Sequence, residues 1–490
     1  MTMITDLFKD IAQYLPSKVI PAIIGIVALP ILTRLFPPAD YGNYVLVIAT
    51  VSILSTLVGW IGMSIVRFYS AYGKEKKTSE FTELAIKLSF LSIFTISIIA
   101  LCILLSLRGR ISRNIYHLMS IGILVFILTS FFAILLDFLR IKRQIKWYSY
   151  FFVWKSVTAL IFGVLLVIIF HLGVEGLLWG AVLSIGLAIS FLWKIAVGKL
   201  RIRDKAIPLK PTIEMAKYSF PLVVGNLAAW ILSLSDRYVL QFFRGAREVG
   251  IYSISYQISQ NSIMLLASLF ALAFNPLSII IWEKQGKKAS QEFLTKGTRY
   301  FLLLCIPAMI GISMLQRPIL NVLSTPDYYE GAKIIPLVVS GIFFLGLNQR
   351  FGAGLSFLKK THFFMYSLII SGLLNLGLNF LFIPKYGYMA AATTTLISYA
   401  FLLLLTIIIS RRFFVWEFPF KSLVKAACAS AIMGIVVYHI GSSLTSSTLL
   451  NLILGIVVGV VVYSLMLFLL REFKSSEIQA LLDLKTKIWR

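Results

Sequence analysis

Long apolar runs, separated by short polar stretches, recur along the whole 490-residue chain. The first lies at about 15–36 and the last at about 448–470. A run of roughly 20 apolar residues is long enough to cross the hydrocarbon core of a bilayer as a helix. In hydrocarbon each backbone polar group must be bonded within its own segment, so runs of this length favour helices. The pattern predicts an all-α membrane protein with about fourteen transmembrane helices.

Composition supports the same class. Hydrophobic residues make up 59% of the chain, charged residues 13%, and the mean hydropathy is +0.90. Such a chain has too little polar surface to form water-soluble domains. The longest connections are expected at about 198–217 and 278–298, and neither is long enough to fold as an enzyme domain.

The net charge of +26 comes from short basic tufts that recur in every second connection. Examples are Lys74-Glu75-Lys76-Lys77, Arg140-Ile141-Lys142-Arg143 and Arg201-Ile202-Arg203. Positive loops stay on the cytoplasmic side, so the tufts predict that both termini are cytoplasmic. They form no continuous basic face, which argues against a nucleic-acid partner.

Cysteine and histidine give no sign of metal or redox chemistry. Cys102, Cys305 and Cys428 lie far apart in separate apolar runs, without the spacing of a zinc site or a disulfide framework. The four histidines lie on separate segments and match no metalloprotease spacing. We expect no catalytic residues, no metal and no cofactor other than a coupling H⁺ or Na⁺.

Two weak internal repeats indicate a duplication. Asp40-Tyr41-Gly42-Asn43-Tyr44 after the first span resembles Glu248-Val249-Gly250-Ile251-Tyr252 after the seventh. Gly173 to Gly176 before the sixth span resembles Gly387 to Ala390 before the twelfth. Six helices separate the copies, so the repeats are parallel. This predicts six-helix bundles at 1–200 and 201–415, followed at 416–490 by two further helices and a cytoplasmic tail.

Several local patterns resemble the polysaccharide exporters of the multidrug/oligosaccharidyl-lipid/polysaccharide superfamily, in particular the Wzx-type O-antigen or lipid-linked oligosaccharide flippases. The resemblance runs through most of the chain. It rests on Leu29 to Arg34, Asp40 to Tyr44, Ser235 to Arg237, Val249 to Tyr252, Asn375 to Phe380, Ile383 to Gly387, Ala390 to Thr393, and Ser398-Tyr399.

This resemblance implies a MATE-like fold and a non-enzymatic function. The expected activity is alternating-access transfer of an undecaprenyl-diphosphate-linked oligosaccharide, an O-antigen or capsule repeat unit, to the outer leaflet of the bacterial inner membrane. The implied partners are that lipid-linked sugar, membrane lipid, a polysaccharide polymerase and a chain-length regulator.

Charged residues inside the spans are the first candidates for the transport site. A Lys, Arg or Asp at the centre of a membrane helix costs about 2.5–3.5 kcal/mol on insertion scales. Such a residue is therefore expected to have a neutralising partner or a functional role. The candidate cations are Arg34, Lys155, Arg237 and Arg350. Arginine suits a diphosphate because its fork bonds two oxygens at once. Snorkelling to the interface is the alternative for these side chains.

Asp236 is the candidate for ion coupling, although a role as counter-ion to Arg237 explains it equally well. Two polar stripes add further candidates. Asn226, Trp230, Ser233 and Arg237 share one face of the seventh span, and Ser253, Gln257, Gln260 and Asn261 share one face of the eighth. We expect Asn226 and Gln257 to contact sugar hydroxyls, with helix–helix hydrogen bonding as the alternative.

Two other functions remain open at this point. A drug or cation exporter of the same superfamily would need an acidic or aromatic cavity, whereas these spans carry more cations than anions. A membrane-embedded polyprenyl-sugar enzyme would need a sizeable outer loop with residues poised for chemistry, and the sequence predicts none.

Overall fold

The computed structural model describes residues 2–75, 77–198, 206–443 and 447–473. The basic tuft at 201–203, the predicted boundary at 200 and the tail at 474–490 lie outside the described residues, as does Lys76. The α-helices are α1 (Thr2–Leu35), α2 (Pro38–Val58), α3 (Trp60–Lys74), α4 (Thr78–Ser106), α5 (Arg113–Ile141), α6 (Ile145–Phe170), α7 (Glu175–Ala196), α8 (Leu209–Arg244), α9 (Ala246–Met314), α10 (Gln316–Leu323), α11 (Ile335–Phe357), α12 (Thr361–Arg411), α13 (Phe420–Ser443) and α14 (Thr448–Leu469). A 3₁₀ helix covers Pro326–Ile334.

The predicted all-α membrane fold is confirmed. Within the described residues, 12 helices are long and apolar enough to cross a membrane. Two of them, α9 and α12, are long helices interrupted by a non-helical glycine, Gly286 (φ 78°) and Gly387 (φ 58°). Dividing each at its glycine gives fourteen spanning segments, the number that the apolar runs predict.

The connection expected at 278–298 contains little irregular backbone. In the structure these residues are helical apart from Gly286, so α9 carries its polar stretch as helix and turns sharply at one residue. The hydropathy pattern marks where apolar side chains stop, but the backbone bonds of a helix continue beyond that point. Only a residue that tolerates positive φ can make this turn without strain.

The chain divides into two compact units. The first comprises Met1–Ile254 and His362–Ser398, and the second comprises Ser255–Thr361 and Tyr399–Arg490. The division into bundles at 1–200 and 201–415, with an appendix at 416–490, stays a prediction.

The two G-x-Y copies of the predicted repeat pack against each other within the first unit. A Cβ on Gly42 would collide with the Ala246 carbonyl, and a Cβ on Gly250 would collide with the Pro38 carbonyl. The starts of α2 and α9 therefore approach each other reciprocally, each through its own glycine. The second pair of copies also shares a conformation, because Gly173 (φ 55°) and Gly387 (φ 58°) both have positive φ.

A carboxylate caps the half of α12 that follows Gly387. Glu248 Oε2 accepts a hydrogen bond from the Tyr388 backbone N–H at 3.0 Å, and Glu248 Oε1 accepts one from Arg244 Nε at 2.8 Å. A negative charge at a helix N-terminus is favourable because the free N–H groups carry partial positive charge. A side chain at Gly387 would displace this carboxylate.

In the second unit, Glu472 ties the end of α14 to two other helices. Its Oε1 accepts hydrogen bonds from Arg299 Nε at 2.7 Å and Ser422 Oγ at 2.5 Å, and Lys425 Nζ lies 3.3 Å from its Oε2. Burial alone would raise the pKa of this carboxyl, but the hydrogen bonds from Ser422 and Arg299 and the charge of Arg299 outweigh it, so the pKa lies below its ordinary value.

We expect Gly250→Ala to lower the melting temperature of the detergent-solubilised protein. The new methyl group would overpack the approach of α9 to Pro38, at a cost of about 1–3 kcal/mol. Gly186→Ala is the matched control, because Gly186 is also helical and has open space where the methyl group would lie. There the better helix propensity of alanine should leave stability unchanged or slightly raised. Equal melting temperatures for both variants would contradict the close approach.

The Glu472 cluster predicts a defined pH dependence. A carboxyl with a lowered folded-state pKa stabilises the fold above its ordinary pKa of 4.5, and this contribution is lost as the pH falls below that value. The difference in melting temperature between wild type and Glu472→Gln should therefore be largest near pH 6 and shrink below pH 4.5. Glu417→Gln, at an exposed glutamate, is the control. A difference that is constant with pH would rule out this role for the Glu472 charge.

Candidate functional site

Two buried clusters contain the charged candidates that lie deepest in the protein. Asp236 and Arg237 lie in the first unit, near the end of α8, and are 1% and 4% exposed. Arg350 lies on α11 in the second unit and is 1% exposed. The two clusters differ in how the arginine charge is compensated.

In the first cluster every charge has a partner. Arg237 Nη1 donates to Asp236 Oδ1 at 2.8 Å and to the Ser233 carbonyl at 2.7 Å. Asp236 Oδ2 accepts a hydrogen bond from the Tyr252 hydroxyl on α9, and the Arg237 guanidinium lies 5.3 Å from the centre of the Tyr252 ring. This is the geometry of a neutralised ion pair, the counter-ion alternative that the sequence left open for Asp236.

In the second cluster the charge is held by aromatic rings. The Arg350 guanidinium lies 4.8 Å from the ring centre of Phe270, 4.7 Å from that of Phe274 and 5.4 Å from that of Phe301. Among the described residues, Arg350 Nε and Nη2 have no hydrogen-bond partner, and no carboxylate pairs with this side chain. A cation over an aromatic face gains about 0.5–2 kcal/mol per favourable contact. Three rings together can offset a burial cost of about 2.5–3.5 kcal/mol.

Glycines make room for the rings around Arg350. A side chain at Gly297 would collide with the Phe274 ring, and one at Gly346 would collide with the Phe301 ring. One turn beyond Arg350 on the same face of α11, Gly354 accommodates Phe414 in the same way. The sequence carries this signal as glycines four residues before and four residues after Arg350, although it does not show which rings lie there.

The other candidate residues lie in less enclosed places. Arg34, at the last turn of α1, and Asn226, on α8, are exposed. Gln257 is half-buried on α9. Lys155 is half-buried on α6, with its Nζ 5.8 Å from the centre of the Phe132 ring. Their role in substrate binding stays a prediction.

The polar stripe predicted on α8 is divided in the structure. Trp230 lines an apolar cavity of about 810 Å³ in the first unit, bounded by α2, α4, α5, α8 and α12. Ser233 instead bonds the Ala229 carbonyl on its own helix, and its carbonyl accepts from Arg237. The stripe therefore combines cavity lining with helix-internal hydrogen bonding.

Asn375 and Asn379 on α12 serve packing. Both are fully buried, Asn379 Nδ2 donates to Asn375 Oδ1 at 2.9 Å, and Thr394 Oγ1 donates to Asn379 Oδ1 at 2.5 Å.

The residues that the sequence did not reveal are those that touch the charged candidates: Tyr252 beside Asp236, and Phe270, Phe274 and Phe301 around Arg350. The chain has 37 phenylalanines, so the sequence does not distinguish the three that meet a cation.

Comparisons with known proteins identify the family. The family described as polysaccharide biosynthesis protein matches residues 7–281, which is more than half of the 490-residue chain. The MatE family matches residues 221–381.

Two archaeal relatives align with parts of the chain. An uncharacterised membrane protein of Methanocaldococcus jannaschii is 28% identical over 198 residues, covering 40% of this chain and 39% of the relative. A Haloferax volcanii protein named "Probable low-salt glycan biosynthesis flippase Agl15" is 20% identical over 347 residues, covering 71% of this chain and 70% of the relative.

Among solved structures, the lipid II flippase MurJ in an inward closed conformation superposes with a TM-score of 0.77. The superposition covers 93% of this chain and 98% of MurJ at 20% sequence identity. At this identity the likeness establishes the fold, and it confirms the predicted fold class of the multidrug and polysaccharide exporters. On its sequence match and its fold, the chain belongs to the polysaccharide biosynthesis protein family of multi-pass membrane proteins.

Proposed function

We propose that this protein is a transporter that flips an undecaprenyl-diphosphate-linked oligosaccharide, an O-antigen or capsule repeat unit, from the cytoplasmic to the outer leaflet of the bacterial inner membrane. Transfer proceeds by alternating access, with both termini in the cytoplasm and no covalent chemistry. A polysaccharide polymerase and a chain-length regulator would act on the product. The names of the Haloferax relative and of MurJ, both flippases, support this assignment.

The buried charge of Arg350 is the observation that carries the proposal. Arg350 lies on a spanning helix and its side chain is buried. In the described part of the chain no acidic side chain neutralises its charge. A diphosphate carries about two negative charges, so moving it bare through hydrocarbon would be prohibitive. An arginine without a carboxylate partner lowers that cost, because its fork can bond two phosphate oxygens.

The apolar cavities suit the other end of the same substrate. Besides the cavity in the first unit, the second unit has one of about 400 Å³ between α9, α13 and α14. Both are lined almost entirely by aliphatic and aromatic side chains, which match a prenyl chain and not a sugar. A cationic drug would lack favourable contact with Arg350, so the geometry favours an anionic amphiphile over the substrate of a multidrug exporter.

A gene deletion tests the function as a whole. Cells without the protein should lose surface polysaccharide and accumulate undecaprenyl-linked repeat units at the inner leaflet, measured by lipid extraction and mass spectrometry. An unchanged glycan profile together with altered drug tolerance would overturn the flippase assignment in favour of an exporter.

Arg350→Gln should abolish export while the protein stays inserted in the membrane, because glutamine keeps polar bulk but removes the charge that faces the diphosphate. We expect at least a tenfold loss of flipping in proteoliposomes, with Arg350→Lys retaining part of the activity. Arg412→Gln, at an exposed arginine just after α12, is the control and should flip normally. Wild-type export by Arg350→Gln would remove Arg350 from the site.

Asp236 is our proposed site for the coupling H⁺ or Na⁺, and its ion pair with Arg237 makes a double variant informative. If Asp236 carries the coupling ion, Asp236→Asn should block gradient-driven transport and Asp236→Asn/Arg237→Gln should not restore it. If Asp236 only neutralises Arg237, the single variant leaves a buried charge unpaired and the double variant should restore transport. Recovery in the double variant would therefore end the coupling assignment.

A further inference from the structure

The rings around Arg350 form a cage with walls on two helical segments, and Arg350 itself lies on a third. Phe270 and Phe274 lie one turn apart on α9 before Gly286, and their rings stack at 5.2 Å. Phe301 lies on α9 after Gly286, and Arg350 lies on α11. We call Phe270, Phe274 and Phe301 the phenylalanine cage.

The cage is built into the fold and is not a chance contact. The Phe274 ring packs against Gly297 and the Phe301 ring packs against Gly346. A side chain at either glycine would occupy the space that the ring fills. Phe301 also stacks on Phe343 at 5.9 Å, which fixes its plane. Close-packed surroundings of this kind hold a ring in one orientation.

The helical segment that carries Phe270 and Phe274 contains a proline close to both residues. Pro276, two residues after Phe274, has no backbone N–H, so it cannot make the helical hydrogen bond that would join it to the preceding turn. Proline is the commonest cause of a bend in a helix. A bend there would carry Phe270 and Phe274 together, while Phe301 and Arg350 lie on other segments.

Aromatic rings differ from a carboxylate as partners for a cation. A carboxylate forms charge-assisted hydrogen bonds that an incoming phosphate would have to replace one for one. Rings leave the guanidinium N–H groups unbonded, as Nε and Nη2 are here, so an oxyanion gains every hydrogen bond it makes. The cage thus keeps the Arg350 charge buried while leaving its N–H groups available to an oxyanion.

We propose that the phenylalanine cage holds the Arg350 guanidinium in the conformation described here and releases it to the diphosphate of the substrate when the Phe270 and Phe274 wall moves away. The cage and the oxyanion compete for one side chain, and the three phenylalanines act as positioning residues through Arg350. This inference rests on the proposed function, and it adds residues and a ligand group to the proposed site.

The test changes the charge distribution of a ring without changing its shape. Phe274 and Phe301 are replaced one at a time by 3,4,5-trifluorophenylalanine, which weakens the attraction of the ring face for a cation. Binding of undecaprenyl diphosphate to the full-length protein in detergent is measured by native mass spectrometry, and uncharged undecaprenol reports binding of the prenyl chain alone. Phe343 is the matched control, because it stacks on Phe301 but is not among the rings that contact the cation.

Competition predicts an unusual direction of effect. Weakening the cage should tighten undecaprenyl diphosphate binding by about 3- to 30-fold at positions 274 and 301. Undecaprenol binding should not change, and fluorination of Phe343 should have no effect. A ring with only a packing role would weaken binding or leave it unaltered when modified.

The outcomes separate this inference from the proposed function. Unchanged or weaker binding at positions 274 and 301, an equal gain at Phe343, or a gain that persists in an Arg350→Gln background would each overturn the cage. If Arg350→Gln binds undecaprenyl diphosphate as well as wild type does, the assignment of Arg350 to the substrate site fails as well. If the fluorinated proteins bind as wild type does and Arg350→Gln does not bind, the site stands and only the cage is wrong.

Discussion

The cost of placing a charge in hydrocarbon governs both buried clusters of this protein. In the first unit the cost is met by neutralisation, because Asp236 bonds both Arg237 and Tyr252. In the second unit it is met by aromatic rings, which stabilise Arg350 while leaving guanidinium N–H groups unbonded. An ion entering the first cluster would have to replace an existing partner, whereas an anion at Arg350 would bond N–H groups that have no partner among the described residues.

Glycine provides the second recurring element, close approach between helices. Lipid tails are as apolar as the side chains, so membrane helices associate through tight packing, and small residues allow it. Gly42 and Gly250 bring the starts of α2 and α9 together, and Gly297 and Gly346 admit the rings of the cage. Gly286 and Gly387 act differently, since their positive φ turns a long helix sharply within one residue. The same residue type therefore sets both the packing and the division of the chain into spans.

Much of the fold could be predicted because the tendency of a segment to enter the bilayer depends mainly on the residues of that segment. The apolar runs give the spanning segments, and the paired G-x-Y stretches identify two helix starts that contact each other in the structure. Hydropathy marked the connection at 278–298 but not its conformation, because hydropathy follows side chains, whereas the backbone of α9 is helical on both sides of Gly286. Of the site, the sequence supplied the charged residues and the alternative of an Asp236–Arg237 pair, but not the aromatic partners, since Phe274, Phe301 and Arg350 lie far apart along the chain.

The sequence by itself determined that this chain is a helical membrane protein, roughly where it crosses, and which ionisable groups lie inside the spans. These properties depend on neighbouring residues and on the surrounding solvent, so they can be read along the chain. Only the tertiary structure decided that Tyr252 bonds Asp236 and that Arg350 is enclosed by rings. The compensation of a buried charge depends on which distant helix faces it, and packing in three dimensions alone sets that contact.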